Sequence, residues 1–343
     1  MTCPLTIAIT TRNRADFLGE TLDSILAQLP SSVELLILDG ASTDNTPGLV
    51  REYQARHPQL RYVRLDSNDG LDRDFDRSVS LSSGEYCWLM TDDDLLKPGV
   101  IEAVLAEIGK GPSLVIVNAE VRNRDLSEII EARRLPFSGD RVYQPADFDR
   151  LFAETASYLS FIGCVVIRRE VWLSRDRESY FGSLFVHMGV IFQRPLPGAV
   201  IALAEPYIII RYGNAKWRPQ QFEIWLFKWP EFVWSFAGVS PEAKARVAIR
   251  EPWRNPARLL LYRAKGVYTR SEYTGLIRPR MRSATSRLGA WAVLLIPGAL
   301  ANALALIYCS LVKERAGFRS VDLKNSPHYY GNWLPRGKLR VSQ

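Results

Sequence analysis

The stretch YCWLMTDDDLLKP, residues 86–98, runs an apolar strand directly into three consecutive acids, Asp92, Asp93 and Asp94. Adjacent carboxylates repel one another and resist desolvation, so a cation is expected among them. Carboxylate oxygens suit hard ions such as Mg²⁺ or Mn²⁺, and substrate phosphates typically complete their coordination. The same residues also fit a solvated turn before the next helix, because Asp is a good N-cap and Pro98 suits a helix start.

The sequence upstream sets this strand end in a fold. LTIAITT at 5–11, VELLILDG at 33–40 and RYVRLD at 61–66 read as short buried strands, separated by the helical stretches FLGETLDSILAQ and TPGLVREYQARH. That alternation predicts an α/β fold with a mainly parallel central sheet and helices on both faces. In such sheets ligands bind beyond the carboxyl ends of the strands. Polar clusters stand at three of those ends: Thr10, Thr11, Arg12 and Asn13 after the first, Asp39 to Asp44 after the second, and Asp92 to Asp94 after the fourth. The acids are thereby predicted to converge on one cleft.

Taken in order, TIAITTRNR, LLILDGASTDNT, NDGLDRDFDRSVSLSSGEY and WLMTDDDLLKPG resemble the nucleotide-sugar half of the family 2 glycosyltransferases over about the first third of the chain. The resemblance implies a GT-A fold, in which a Rossmann-like nucleotide-binding domain holds a nucleoside diphosphate-sugar and a divalent ion, Mn²⁺ or Mg²⁺. It implies nucleotide-sugar contacts at Thr10, Thr11, Arg12, Asn13 and Asp39, with Asp69 and Arg73 beside them. It makes Asp93 the metal ligand, lets Asp92 touch ribose or metal, and gives Asp94 a supporting place in the metal site. Two departures stand out. Thr91 sits where many members begin their Asp-x-Asp motif, and DFDRS at 74–78 replaces their Ala-Arg-Asn-x-Gly.

The middle of the chain is expected to supply acceptor recognition and catalysis. SLVIVNAEVRN at 113–123, IGCVVIRREVW at 162–172 and AVIALAEPYIIIRYG at 199–213 have strand composition. Between the last two, residues 179–193 resemble the family's acceptor-site helix, where many inverting members carry a Glu-Asp pair whose Asp is the base. That pair is missing here. His187 is the candidate base, because its ordinary pKa suits proton transfer near neutrality, and Glu178 and Asp176 are the alternatives. A histidine on an apolar helix also reads as a core residue. After the last strand, Arg211, Asn214, Lys216, Trp217 and Arg218 read either as a cationic lid over a departing diphosphate or as a solvated loop, with Arg211 and Trp217 as donor contacts. This part is similar, more loosely, to abequosyltransferase-like members that build O-antigen or capsule repeats.

Composition fits a globular enzyme of 343 residues with a net charge of +7. The four cysteines, Cys3, Cys87, Cys164 and Cys309, form no Cys-x-x-Cys pair, which argues against a zinc site or disulfide framework and fits a reducing compartment. No signal peptide is read before the first strand, so a cytoplasmic nucleotide-binding part is expected. Between Lys244 and Arg287 there are twelve Lys or Arg against Glu251 and Glu272, and the next 25 residues, Leu288 to Val312, are uncharged. No recognised nucleic-acid module accompanies this basic stretch, so nucleic acid is not an expected partner. A basic region before an apolar one suits an anionic membrane surface, with peripheral or monotopic attachment at the inner face of the cell membrane. The length also admits a single transmembrane span, interrupted by Pro297, Gly298 and Asn302, or a buried helical hairpin.

The sequence divides into a nucleotide-sugar half at 1–110, an acceptor half of the same domain at 111–215, and a helical, basic, membrane-associating region at 216–343. The expected function is metal-dependent transfer of a sugar to a hydroxyl of a lipid-linked saccharide or polysaccharide. Transfer to polyprenyl phosphate is the alternative, and a non-catalytic nucleotide-binding membrane scaffold is the reading from another class. A Rossmann dehydrogenase is disfavoured, because no Gly-x-Gly-x-x-Gly follows the first strand.

Overall fold

The computed structural model describes residues 3–214, 218–311 and 317–332. These form two compact units, one of Met1–Tyr212 with Ser235–Val247, the other of Gly213–Trp234 with Ala248–Gln343. In the first unit, β1 (Leu5–Thr11), α1 (Ala15–Leu26), β2 (Val33–Asp39), α2 (Thr46–Arg56), β3 (Leu60–Arg64), α3 (Leu71–Leu81) and β4 (Tyr86–Met90) alternate as the sequence predicts. β1 and β4 bury every residue, as strands covered on both faces must. α1 turns Leu18, Leu22 and Ile25 onto the sheet at helical spacing.

There follow β5 (Leu95–Leu96), α4 (Val100–Ile108), β6 (Leu114–Arg122), β7 (Ile129–Glu131), β8 (Arg141–Tyr143), α5 (Phe148–Leu159), β9 (Val165–Arg168), α6 (Arg169–Leu173), α7 (Val186–Phe192) and β10 (Val200–Arg211). The sheet order is β3-β2-β1-β4-β9-β6-β10-β5, with β7 on β6 and β8 on β10. Strands β3, β2, β1 and β4 are mutually parallel. β9 runs antiparallel between β4 and β6. Register places Thr11 beside Asp39 and Ile9 beside Met90, so the three polar strand ends share one edge of the sheet. Gly84 lets the chain enter β4 close against β1, because a Cβ there would lie 2.4 Å from the Thr6 nitrogen.

The first unit is completed by residues from beyond β10. Phe236 meets Phe152 edge-on at 5.8 Å, and the Ser240 amide donates to Asp149 at 2.9 Å.

The second unit is helical. Its chain passes through α8 (Gln221–Glu223) and a wide π-turn at Ile224–Lys228 into α9 (Trp229–Ser235), and α10 (Pro241–Val247) then lies in the first unit. α11 (Pro256–Ala264), α12 (Arg270–Glu272), α13 (Ala284–Leu295), α14 (Gly298–Leu311) and α15 (Gly317–Lys324) complete it. Aromatic pairs make its core, with Phe222 stacked on Tyr268 at 5.2 Å and Phe227 on Trp253 at 6.2 Å.

Asn302 does not hydrate the apolar stretch. It is fully buried and donates to the carbonyls of Ala264 and Leu323, tying α14 to the ends of α11 and α15. The uncharged stretch folds as two helices bent by 93°, and among the described residues no single helix is long and apolar enough to cross a membrane. Three cations of the basic stretch have partners or burial within the protein. Lys244 is buried in the first unit, Lys265 pairs with Asp322 at 2.5 Å, and Arg254 pairs with Glu251 at 2.6 Å.

Candidate active site

The acid-bearing end of β4 is held from two sides. The Arg14 guanidinium, just beyond β1, lies 3.4 Å from an Asp92 oxygen and 3.3 Å from an Asp93 oxygen. One cation thus bridges the two carboxylates. Arg14 went unmarked in the sequence, although its place after a strand end next to three acids was the available signal. Two largely buried carboxylates facing one positive charge are a donor set that suits a hard divalent ion, which typically takes one or two carboxylates and completes its shell with substrate phosphates. Asp92 and Asp93 would hold such an ion. Among the described residues no group of three or more His, Cys, Asp or Glu forms a metal cage of its own.

Asp94, expected in a supporting place in the metal site, is a buried brace of this strand end. Its two oxygens take the Arg211 amide at 2.7 Å and the Thr91 hydroxyl. Burial, with Asp93 beside it, pushes its pKa well above the usual carboxylate range. The folded state therefore holds this proton more tightly than the unfolded chain does. The carboxyl favours folding in acid and loses that contribution as pH rises through its raised pKa. Asp94→Asn is accordingly expected to raise Tm by a few degrees at pH 8 and by less at pH 4. A melting series showing a lower Tm at pH 8 would contradict this.

Arg211, expected as a donor contact in a lid, anchors the acid loop. It ends β10, is buried, and donates to the carbonyls of Asp93 at 3.0 Å and Arg124 at 2.8 Å and to the Glu20 carboxylate. Its donors are thus committed to holding the acid loop against the sheet. Lys216 and Trp217, the other lid candidates, lie outside the described residues, as does the side chain of Arg218.

At the neighbouring strand ends, Thr10 and Thr11 are buried with hydroxyls that meet no protein partner, and Arg12 is exposed. Asn13 clamps the loop after β2: its side-chain oxygen accepts from the Thr43 amide at 2.6 Å, and its own amide donates to Ser42 at 2.9 Å. Asp39 is fully buried, accepting from the Ser42 amide at 2.8 Å and the Tyr62 hydroxyl at 2.7 Å, with Arg64 at 3.8 Å. Asp69 is exposed and pairs with Arg77 at 3.0 Å, which lowers its pKa. Arg73 lies over the Phe181 ring at 4.5 Å.

α3, whose DFDRS departs from the family pattern, carries three acids with separate duties. Asp72 accepts from the amides of Gly182, Leu184 and Val186 and so fixes the start of α7. Asp76 accepts from the Trp172 indole at 2.8 Å and pairs with Arg177 at 2.7 Å. Asp74 is buried beside Gly40, where a Cβ would come within 2.7 Å of its carboxylate, and one of its oxygens has no protein partner.

His187 is a core residue in this structure and does not open onto a cleft. Every residue of α7 is buried, and the His187 Nε2 sits 2.6 Å from the Leu159 carbonyl oxygen of α5. Burial drives its pKa down to about 4, so the ring is neutral at pH 7 and a poor proton acceptor. Asp176 and Glu178 are exposed in the turn between α6 and α7, where Asp176 accepts from the Ser179 amide at 3.2 Å. The periodicity that put His187 on an apolar helix was itself the sign that it belongs to the core.

Residues 6–173 match the model of glycosyl transferase family 2. Among curated proteins, the abequosyltransferase RfbV of Salmonella typhimurium is 26% identical over 223 residues, which span 61% of this chain and 67% of that protein. Among solved structures, S. aureus TarS 1–349 superposes with a TM-score of 0.54 at 14% identity, covering 94% of this chain and 91% of that one, and it has also been captured with UDP-GlcNAc. The mannosyltransferase PcManGT of Pyrobaculum calidifontis, in complex with GDP-Man and Mn²⁺, gives a TM-score of 0.52 at 17% identity over 93% of this chain and 84% of its own. These structural likenesses show the GT-A fold. All three converging strand ends lie inside the matched segment, and residues 6–173 of this chain form a glycosyl transferase family 2 domain.

Proposed function

We propose that this chain transfers a sugar from a nucleoside diphosphate-sugar, in a metal-dependent reaction, to a hydroxyl of a lipid-linked saccharide or polysaccharide at the cytoplasmic face of a membrane. The observation that carries the reading is the Asp92–Asp93 pair bridged by one cation at the carboxyl end of β4, next to the ends of β1 and β2. A divalent ion bound there would offset the charge that builds on the departing diphosphate. The chain's own part is positional. Arg211 and Asp94 fix the acid loop, and Arg14 limits the repulsion between the two carboxylates. The relative RfbV and the neighbours with UDP-GlcNAc and GDP-Man support a nucleotide-sugar donor. Incubation with a panel of nucleotide-sugars and Mn²⁺, following slow donor hydrolysis, tests the reading. No hydrolysis of any donor would favour the scaffold reading instead.

With His187 in the core, the region expected to hold the acceptor presents only the exposed Asp176 and Glu178 as candidate bases. That favours, as a second reading, an anionic acceptor such as polyprenyl phosphate, which needs less base catalysis. Labelled donor offered to polyprenyl phosphate and to a saccharide acceptor separates the two.

Membrane attachment rests on the second unit. One side of the α13–α14 pair packs through Ala290, Val293, Ala301 and Asn302, while Leu288, Leu295, Leu300, Leu304, Ile307 and Leu311 are more than half exposed. Arg278, Arg280, Arg282 and Arg287 are exposed just before or at the start of this pair. Apolar side chains with flanking cations suit an in-plane attachment to anionic headgroups, where each cation near the surface contributes about 1 kcal/mol. In liposome flotation the protein is expected to bind anionic vesicles more strongly than neutral ones and to weaken with salt. Leu300→Asp with Leu304→Asp should remove the salt-resistant part of that binding. Binding insensitive to both lipid charge and these substitutions would refute the attachment.

A further inference from the structure

α3 carries three acids, and the protein satisfies two of them with its own donors. Asp72 takes three backbone amides, and Asp76 takes an indole and a guanidinium. Asp74 differs. It is 5% exposed, and its Oδ1 has no hydrogen-bond partner in the protein. A buried carboxyl oxygen without a donor is costly unless a ligand supplies one.

Its position says which ligand. The Asp74 Oδ2 lies 2.7 Å from where a Cβ on Gly40 would be, and the Thr11 carbonyl oxygen lies 3.7 Å from the same point. The carboxyl therefore lies against Gly40 just beyond the end of β2, near the end of β1, and a side chain at position 40 would collide with it there. The hydroxyls of Thr10 and Thr11 at the end of β1 are likewise buried and unpartnered. Asp39, which the family resemblance marks as a nucleotide-sugar contact, is fully buried with one oxygen on the Ser42 amide and the other on the Tyr62 hydroxyl. Asp74 differs from Asp39 in that one of its buried oxygens accepts no hydrogen bond from the protein at all.

We propose that Asp74 reads the nucleobase of the donor by accepting a ring N–H, so that uracil, thymine or guanine nucleotides are taken in preference to cytosine or adenine nucleotides. This rests on the nucleotide-sugar reading above. Uracil and thymine offer N3–H and guanine offers N1–H, whereas cytosine N3 and adenine N1 are bare acceptors that would face the carboxylate lone pairs. The neighbouring charges are Arg12 at the end of β1, Asp39 on β2, Asp69 before α3 and Arg77 one turn on. Burial raises the Asp74 pKa only to about 6, so at pH 7.5 the group is mainly an ionised acceptor.

The test is calorimetric binding of UDP, dTDP, GDP, CDP and ADP at pH 7.5 with Mn²⁺, on wild type, Asp74→Asn and Asp74→Ala. Wild type is expected to prefer at least one of UDP, dTDP and GDP over both CDP and ADP by about tenfold or more. Asp74→Asn can turn its amide N–H toward a bare ring nitrogen. It should weaken the preferred ligand on the order of 10- to 100-fold and erase most of the preference, whereas Asp74→Ala should weaken that ligand without gaining CDP or ADP. A wild-type preference for CDP or ADP, or an Asp74→Asn protein with unchanged order and affinity, overturns the assignment. Failure of both variants to fold would make Asp74 structural and overturn it equally. Wild-type protein that binds none of the five would instead defeat the nucleotide-sugar reading itself.

Discussion

Asp93→Ala is expected to lower turnover by about 10² to 10⁴, the equivalent of the several kcal/mol that a bound metal contributes to a charged transition state. The fold should survive the change. Arg14 keeps its contact with Asp92 at 3.4 Å, and the Arg211 side chain holds the Asp93 carbonyl, which the substitution leaves in place. Removing one of three adjacent carboxylates also relieves repulsion, so Tm should fall little or rise. The measurement pairs turnover with nucleotide affinity, taken with and without Mn²⁺. Wild type should bind nucleotide more tightly with the ion, and the variant should show no such gain. Equal affinities with and without Mn²⁺ in both proteins would dismiss the metal assignment, whatever the turnover.

His187→Ala is expected to act on stability instead of chemistry. The side chain is almost fully buried, and its removal leaves a cavity in α7 and an unpaired Leu159 carbonyl, a combination that costs about 2–5 kcal/mol. Turnover per folded molecule, measured well below the melting temperature, should stay close to wild type. The pH dependence gives a second check. Burial depresses the folded-state pKa to about 4 from an unfolded value near 6.5, so between those values the unfolded chain binds more protons than the folded one. This site's stability is complete above pH 6.5 and is lost as pH falls toward 4, by about 3 kcal/mol in all. His187→Gln should flatten that part of the stability curve. A folded, equally stable variant with a large loss of turnover would return His187 to the role of base.

Much of the first unit was legible in the sequence because its signals are local. LTIAITT and VELLILD are apolar runs of strand length, and the helices between them carry apolar residues at helical spacing, which leaves a parallel sheet as the way to bury both. The acids of the active-site edge were legible for the same reason, since a strand end in such a sheet must lie at its carboxyl edge. β5 was not, because Leu95–Leu96 pair only with the distant β10.

What each polar side chain does at that edge was decided by tertiary structure. Sequence sets Asp92, Asp93 and Asp94 side by side as equals, but only the fold brings Arg14 to the first two and the Arg211 amide, 117 residues away, to the third. The same holds for Asp72, Asp74 and Asp76, which alternate along one helix and meet three different surroundings. It holds for Asn302, whose carbonyl partners lie 38 and 21 residues away. A sequence determines strands and helices through periodicity, which neighbouring residues share. Burial, partner and pKa depend on groups remote in the chain, and these exist as neighbours only once the sheet and its helices have packed.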